Sequence, residues 1–490
     1  MPAPNKKTKN QSIKSASEQV GPQLMAIPDW DIVRKKITKY KKKSRRKILE
    51  LIGTGPGRTD ALDIICKRTE MMMVEAYALK EPLVIEGRIE GYFPGDLDLD
   101  FVGYFNRMIY IPYYQSLGDT IGFHDGKWEF NNKDPNAGPE YANEMIAEFI
   151  HLGGINGLSI VNWRASDDTL FYLGTMNTIA NRFKTLDEYG KILKKNYFWV
   201  WDQMEGRAPG IQTSKSMEAL KYIEWDKLKY DSSAIGNGAC MRTGCIGIVY
   251  PGSSNRQKLI TLATEASRIT HNSAISILGS VTTALFTAYA VERVPVPHWP
   301  HKLLKLLKAY PNKIDLYMKN SRPADYDAYM ADKVLFVSQW ENYVGFRFDG
   351  LVPRSNLIMM QKPVLRIKHL SERFSKCDKN NPGACADDAC IIAYDALLEA
   401  GDNLEKLLVY SILHHGDSDT IGSIAFSWFG ANYFSGPNYK LIEKRIVKLE
   451  FHARIEGVMA IALENKFAKT YYYDLYMHFA RKVIRKVIES

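Results

Sequence analysis

The sequence predicts an all-α fold on three observations. From about residue 101 onward, long apolar or amphipathic stretches recur at helical spacing. Short turns rich in Gly, Pro, Asn and Asp separate them. Alternating strand patterns are scarce. Residues 169–183, 257–269, 389–400 and 420–434 are the clearest helical stretches. At 490 residues, with 46% hydrophobic and 24% charged residues, the chain can bury a large core, and its composition excludes wholesale disorder.

The expected organisation runs from a basic tail (1–50) through a small ordered extension (51–100) to a large single helical domain (101–470) and a basic C-terminal helix (471–490). Fourteen Lys and Arg against four acids in residues 1–50 give that tail a balance of +10, which equals the net charge of the whole chain. The body is therefore neutral, and a nucleic-acid partner is an expectation for the tail alone. The first 25 or so residues, rich in Lys, Ser, Asn, Gln and Pro, read as disordered. The run Lys41-Lys42-Lys43-Ser44-Arg45-Arg46-Lys47 suits nuclear import, nucleic-acid binding or a solvated helix face. Within 51–100, residues 61–79 are apolar-periodic and LVIEGRIEGYF (83–93) is strand-like. The C-terminal helix carries Arg481, Lys482, Arg485 and Lys486.

Six cysteines are too few for a disulfide scaffold, and without a secretory signal the expected setting is intracellular and cytoplasmic. Cys377, Cys385 and Cys390 lack the close pairing or histidine partners of a zinc site. The uncharged stretch 271–291 has membrane length but six Ser and Thr. It reads as a buried core helix, and no membrane partner is expected.

Two acidic clusters stand directly ahead of apolar helical runs: Ser166-Asp167-Asp168-Thr169 and Gly416-Asp417-Ser418-Asp419-Thr420. Each alone suits a helix N-terminus, whose free amides accept capping by Ser, Asp and Thr. Together their four carboxylates and two of their hydroxyls are hard oxygen donors of the kind that hold magnesium, and two such clusters can hold two ions about 4 Å apart. A third segment, Gly236-Asn237-Gly238-Ala239-Cys240-Met241-Arg242, reads either as a plain turn or as a backbone cradle for phosphate with an arginine close by. Thr270-His271, ending a helical stretch, is either structural or a ligand contact. Glu129 lies in an aromatic setting, Gly126-Lys127-Trp128-Glu129-Phe130.

In order along the chain, GDTIG (118–122), HDGKWEF (124–130), LGG (152–154), NWRASDDT (162–169), GNGACMR (236–242), SRITH (267–271), ALFTAYAV (284–291), IAYDALL (392–398) and HGDSDTIG (415–422) resemble the ADP-ribosylglycohydrolase family. GKWEF and ALFTAYAV resemble its ADP-ribosylarginine hydrolase branch. The resemblance covers roughly residues 104–465. It implies a binuclear magnesium site, with manganese as the alternative ion, held by Ser166, Asp167, Asp168, Asp417, Asp419 and Thr420. It implies an ADP-ribose pocket lined by Gly236, Asn237, Gly238, Arg242, Ser267, Thr270 and His271. The acid/base then falls to Glu129, Asp168, Asp417 or another carboxylate of the set.

The implied reaction cuts the N-glycosidic bond between ADP-ribose and the guanidinium of a modified arginine, through an oxocarbenium-like transition state. ADP-ribosylated proteins are the expected substrates and ADP-ribose the product. Two rival readings stand beside it. One is a non-catalytic ADP-ribose-binding module, which would be marked by a lost metal ligand. The other is a hydrolase of the same fold acting on ADP-ribosyl-serine, O-acetyl-ADP-ribose or modified nucleic acid.

The tail predicts its own dispensability for chemistry, since it holds the net charge and none of the motifs. A chain lacking residues 1–50 should turn over a small substrate at nearly the full rate. If the tail binds nucleic acid, only the intact chain should bind it with steep salt dependence. A large loss of turnover by a folded truncation would place the tail in the site.

Overall fold

A computed structural model describes residues 97–131, 138–181, 183–354, 357–376, 378–433 and 439–467. The tail, the strand-like stretch 83–93 and the basic helix at 471–490 lie outside the described residues. What is described is helical nearly throughout. Among these residues the only sheet is a two-stranded hairpin pairing Phe348–Asp349 with Val352–Pro353.

The elements that position the site are α1 (Leu97–Phe123), α2 (Asp167–Ala180), α3 (Leu186–Trp201), α4 (Arg256–Arg268), α5 (Ala274–Val291), α6 (Ala386–Ala400) and α7 (Ser418–Tyr433). Helix α1 runs through the boundary expected at residue 100. The expected starts of α2, α6 and α7 fall two or three residues late, because their acidic residues belong to the first helical turn rather than preceding it. Ser166 is the N-cap of α2, its Oγ accepting from Asp168 N at 3.1 Å.

Helix α5 forms the middle of the core, and all of its residues are buried. It is long and apolar enough to cross a membrane by length and composition. All of that stretch is buried inside the protein, and Thr282, Thr283 and Thr287 each donate to the carbonyl one turn back. Phe286 on this helix lies among Trp299, Trp340, Tyr394 and Trp428, with ring centroids 5.3–5.6 Å away. Asp395, in the IAYDALL segment, is held below the usual carboxylate range, against the effect of its burial, by Arg366, Arg347 and Tyr343. Its role is to tie α6 into the core.

The most intimate packing is between α1 and α7. A Cβ at Gly118 would fall 2.3 Å from Gly422 O, one at Gly122 would fall 2.4 Å from Ser418 O, and one at Gly430 would fall 2.8 Å from Tyr114 Cβ. The two backbones touch along this seam because no side chain separates them. Asp119 and Asp419, each adjacent to the seam, are thereby brought into one buried region. Cys240, Cys245 and Cys390 are free and buried. Cys385 is disulfide-bonded.

Substituting Gly118 by Ala should force the two helices apart. Since overpacking a rigid backbone contact costs about 1–3 kcal/mol or more, the variant should melt well below the wild type. A Gly345→Ala control, where a Cβ meets nothing within 4 Å, should not.

Candidate active site

The two acidic clusters, about 250 residues apart in sequence, meet. Thr420 Oγ1 donates to Asp168 Oδ2 at 3.2 Å and Ser423 Oγ donates to Asp168 Oδ1 at 2.9 Å. Asp417 acts at the start of α7, its Oδ1 accepting from Thr420 N at 3.1 Å, while Asp419 Oδ1 accepts from the same amide at 3.0 Å. The helix-cap reading and the shared-site reading therefore hold together. The same carboxylates satisfy helix N-termini and crowd into one buried volume.

Asp119 belongs to this set, although no sequence argument gave it a role. Its Oδ1 accepts from Ser166 N at 3.2 Å and Ser166 Oγ at 2.7 Å; its Oδ2 accepts from Thr169 N at 3.1 Å and from Thr169 Oγ1. One carboxylate on α1 thus anchors the first turn of α2. A signal for it was present. The string Asp-Thr-Ile-Gly occurs twice, at 119–122 and at 419–422.

Glu129 enters from the loop after α1. The structure ties that loop to the second acidic motif: Phe130 N donates to Gly416 O at 3.0 Å, and Ser418 Oγ donates to Trp128 O at 3.1 Å. Trp128 is fully buried and donates from Nε1 to Glu148 at 2.8 Å. Glu129 is 6% exposed, and its Oε2 has no hydrogen-bond partner among the described residues.

Burial, and then mutual repulsion, govern the charge state. Burial raises Glu129 well above the usual carboxylate range, helped by Asp419, Asp167 and Asp119. Burial likewise raises Asp167, Asp168 and Asp419, each further raised by neighbouring carboxylates. Asp417 is pushed up to about 8 by burial, and Asp119 to about 6, the latter restrained by the hydrogen bonds from Ser166 and Thr169. So many buried carboxylates are relieved either by protons or by a cation. Their donor chemistry, carboxylate and hydroxyl oxygen, fits a hard divalent ion. Among the described residues no three His, Cys, Asp or Glu converge as a formed ligand cluster; the carboxylates are drawn instead onto hydroxyls and amides. Ser166 in particular has its Oγ shared between Asp119, Asp168 and the Asp168 amide, which makes it a buttress in this arrangement.

The glycine loop lies beside the carboxylates. Asn237 Nδ2 donates to Asp417 Oδ2 and to Gly383 O, both at 2.6 Å, and Asn237 N donates to Ala384 O at 3.1 Å. The 383–385 segment is held in turn by Asp388, which accepts from Gly383 N and Cys385 N. The glycines have a structural cause. A Cβ at Gly238 would lie 2.9 Å from His271 Cε1 and 3.0 Å from Thr213 Oγ1, and one at Gly236 would lie 3.4 Å from His271 Nε2. The His271 ring underlies the loop.

Three of the expected pocket residues act behind this ring, at one remove from the loop surface. Arg242 is fully buried; its Nη2 donates to Ala266 O at 2.8 Å and to Thr270 Oγ1, and its guanidinium lies over Tyr197 and Phe171, 4.6 and 5.3 Å from the ring centroids. This corrects the expectation of an arginine presented to phosphate, because the side chain turns into the core. Thr270 Oγ1 accepts from Arg242 and lies 2.8 Å from His271 Nδ1. Burial and Arg242 lower His271 to about 3, which keeps it neutral. Ser267 Oγ donates to His271 O at 2.9 Å. Gly236 and Asn237 are the half-exposed part of the loop.

The ADP-ribosylglycohydrolase family model matches residues 115–464. A protein of Acanthamoeba polyphaga mimivirus, named putative ADP-ribosyl glycohydrolase L444, is 48% identical over 388 residues, covering 77% of this chain and 74% of its own length. The ADP-ribosylhydrolase ARH1 of Dictyostelium discoideum is 33% identical over 364 residues, covering 70% of this chain and 90% of its own. A solved structure described as an ADP-ribosylglycohydrolase-related protein complex aligns with a TM-score of 0.44 at 17% identity, covering 77% of this chain and all of that one.

The loop geometry separates two substitutions. Arg242→Ala removes a buried side chain packed on two rings and should lower stability by about 2–5 kcal/mol. Asn237→Ala should melt near the wild type yet lose activity, because Asp417 loses the donor that orients it. Thermal melts and turnover measured together check this; the reverse pattern would return Arg242 to the ligand surface.

Proposed function

The chain belongs to the ADP-ribosylglycohydrolase family, and on that premise we propose that it hydrolyses the N-glycosidic bond joining ADP-ribose to the guanidinium of modified arginine in proteins. The family assignment supports hydrolysis of an ADP-ribose linkage. The arginine linkage rests on the relative named ARH1 and on the GKWEF and ALFTAYAV segments. The observation that carries the catalytic reading is the union of the two acidic motifs through Asp168, Thr420 and Ser423 in a buried pocket that also contains Glu129.

In this reading Asp167, Asp168, Asp417, Asp419 and Thr420, with Ser166 behind them, would hold two magnesium ions, or manganese in their place. When bound, the ions supply positive charge that orients the ribose hydroxyls and acidifies a water molecule. Glu129 handles the proton at Oε2. It is the acid/base of choice because burial favours its protonated form and Oε2 has no other partner, whereas both oxygens of Asp168 and of Asp417 are engaged. The surrounding carboxylates favour the positive charge that develops on the ribose as the guanidine departs. The loop at Gly236 and Asn237 faces the rest of the ADP-ribose and couples its position to Asp417.

The deciding measurement is release of free ADP-ribose from arginine-, serine- and DNA-linked substrates, side by side, with magnesium or with chelator. Arginine-linked substrate should be turned over in magnesium and not in chelator. Asp168→Asn and Asp419→Asn should each lower that turnover by roughly a hundredfold or more and weaken magnesium binding, while the double variant adds little, as expected of groups acting as one unit. Near-normal magnesium binding and turnover in either single variant would sink the shared site. Turnover confined to another linkage would sink the arginine assignment.

A further inference from the structure

Two segments of the chain lead directly into the carboxylate cluster. Asp125 stands four residues ahead of Glu129, and Arg164 stands three ahead of Asp167. His124 and Asp125 both adopt left-handed backbone, with φ of 44° and 54°. Such conformations are costly for residues other than glycine and persist where the surroundings enforce them. Here the pair divides. The His124 ring turns inward and stacks on Trp163, with ring centroids 3.9 Å apart and planes 20° apart, while Asp125 turns outward and stays exposed.

The outward carboxylate already holds a guanidinium. Arg164 N donates to Asp125 Oδ1 at 3.2 Å, and Arg164 Nε lies 3.6 Å from the same oxygen. Oδ2 takes no hydrogen bond among the described residues. The two side chains are 36% and 47% exposed, so as an ion pair they contribute little to stability, about 0–1 kcal/mol. The Arg164 guanidinium rests against the Gly206 backbone, where a Cβ would fall 2.8 Å from Nη1. Trp163, half-buried, precedes Arg164 in the chain, and its ring lies against those of His124 and Trp128, 3.9 and 6.3 Å between centroids. An exposed carboxylate recognises a guanidinium over a neutral group.

We propose that Asp125 receives the guanidinium of the ADP-ribosylated arginine, and that Arg164 is the internal guanidinium the substrate displaces from that seat. The inference rests on the arginine reading and adds the residue that selects the linkage. Exchange is cheap because the Arg164 side chain is exposed, and the Arg164 amide keeps Asp125 in place after the side chain leaves. A serine linkage brings no cation and gains nothing from Asp125, so discrimination arises from one charged contact.

Steady-state kinetics of the full chain in magnesium test this with arginine-linked and serine-linked ADP-ribosyl peptides. Asp125→Asn should raise KM for the arginine peptide about tenfold, the loss of one charge-assisted contact, and change kcat by less than about twofold. Inhibition by free ADP-ribose, which lacks the guanidine, should stay the same, and Asp125→Glu should retain most of the wild-type KM. Arg164→Ala should lower KM for the arginine peptide, since it frees the seat. A purely structural latch would instead raise KM alike in Asp125→Asn and Arg164→Ala, and that result overturns the proposal. So does an unchanged KM in Asp125→Asn when the wild type turns over arginine peptide, an outcome that leaves the arginine reading intact. A wild type active only on the serine peptide removes the arginine reading and this inference with it.

Discussion

Everything at the pocket depends on two helix backbones touching. Helices α1 and α7 meet where Gly118 faces Gly422 and Gly122 faces Ser418, at separations that leave no space for a Cβ. Helices ordinarily lie 8–10 Å apart, spaced by their side chains. Small residues at the crossing allow a nearer approach, and the acidic residues beside those glycines are carried along with it. Asp119 and Asp419 occupy matching places in the repeated Asp-Thr-Ile-Gly string, so one contact brings together carboxylates 300 positions apart in sequence. Asp119 then fixes the first turn of α2 through Ser166 and Thr169, and that turn delivers Asp167 and Asp168.

The resulting pocket is electrostatically expensive. Burial and repulsion raise most of its carboxylates, and the hydroxyls and amides around them only partly offset this. Such frustration is tolerated where the remaining core is large and well satisfied, and it marks sites where chemistry takes precedence over stability. The core is large: Thr282, Thr283 and Thr287 of α5 bond back to their own helix, the aromatic rings around Phe286 fill its flank, and Asp395 is matched by two arginines.

Arg242, Thr270 and His271 form a column beneath the glycine loop. A buried guanidinium held over two rings donates to the Thr270 hydroxyl, the hydroxyl is hydrogen-bonded to the histidine ring, and the neutral imidazole supports the loop whose Asn237 orients Asp417. Residues that sequence reasoning assigns to ligand contact thus act through one another. The glycines are required by the ring below them as much as by anything above.

The sequence by itself determined the helical class, the helices that carry the motifs, the neutral body and basic tail, and the two acidic clusters, because each is written in local periodicity, composition or short strings. It also contained the duplicated Asp-Thr-Ile-Gly that marks Asp119, a signal legible only once the two copies are seen to pack together. Tertiary structure alone decided that Arg242 faces the core, that Ser166 is bound to Asp119, and that Asp125 and Arg164 meet. Those outcomes depend on which side chains from distant segments compete for one space and one hydrogen bond. A side chain's type limits what it can bind, but its direction is set by the packing around it, and no local pattern encodes that.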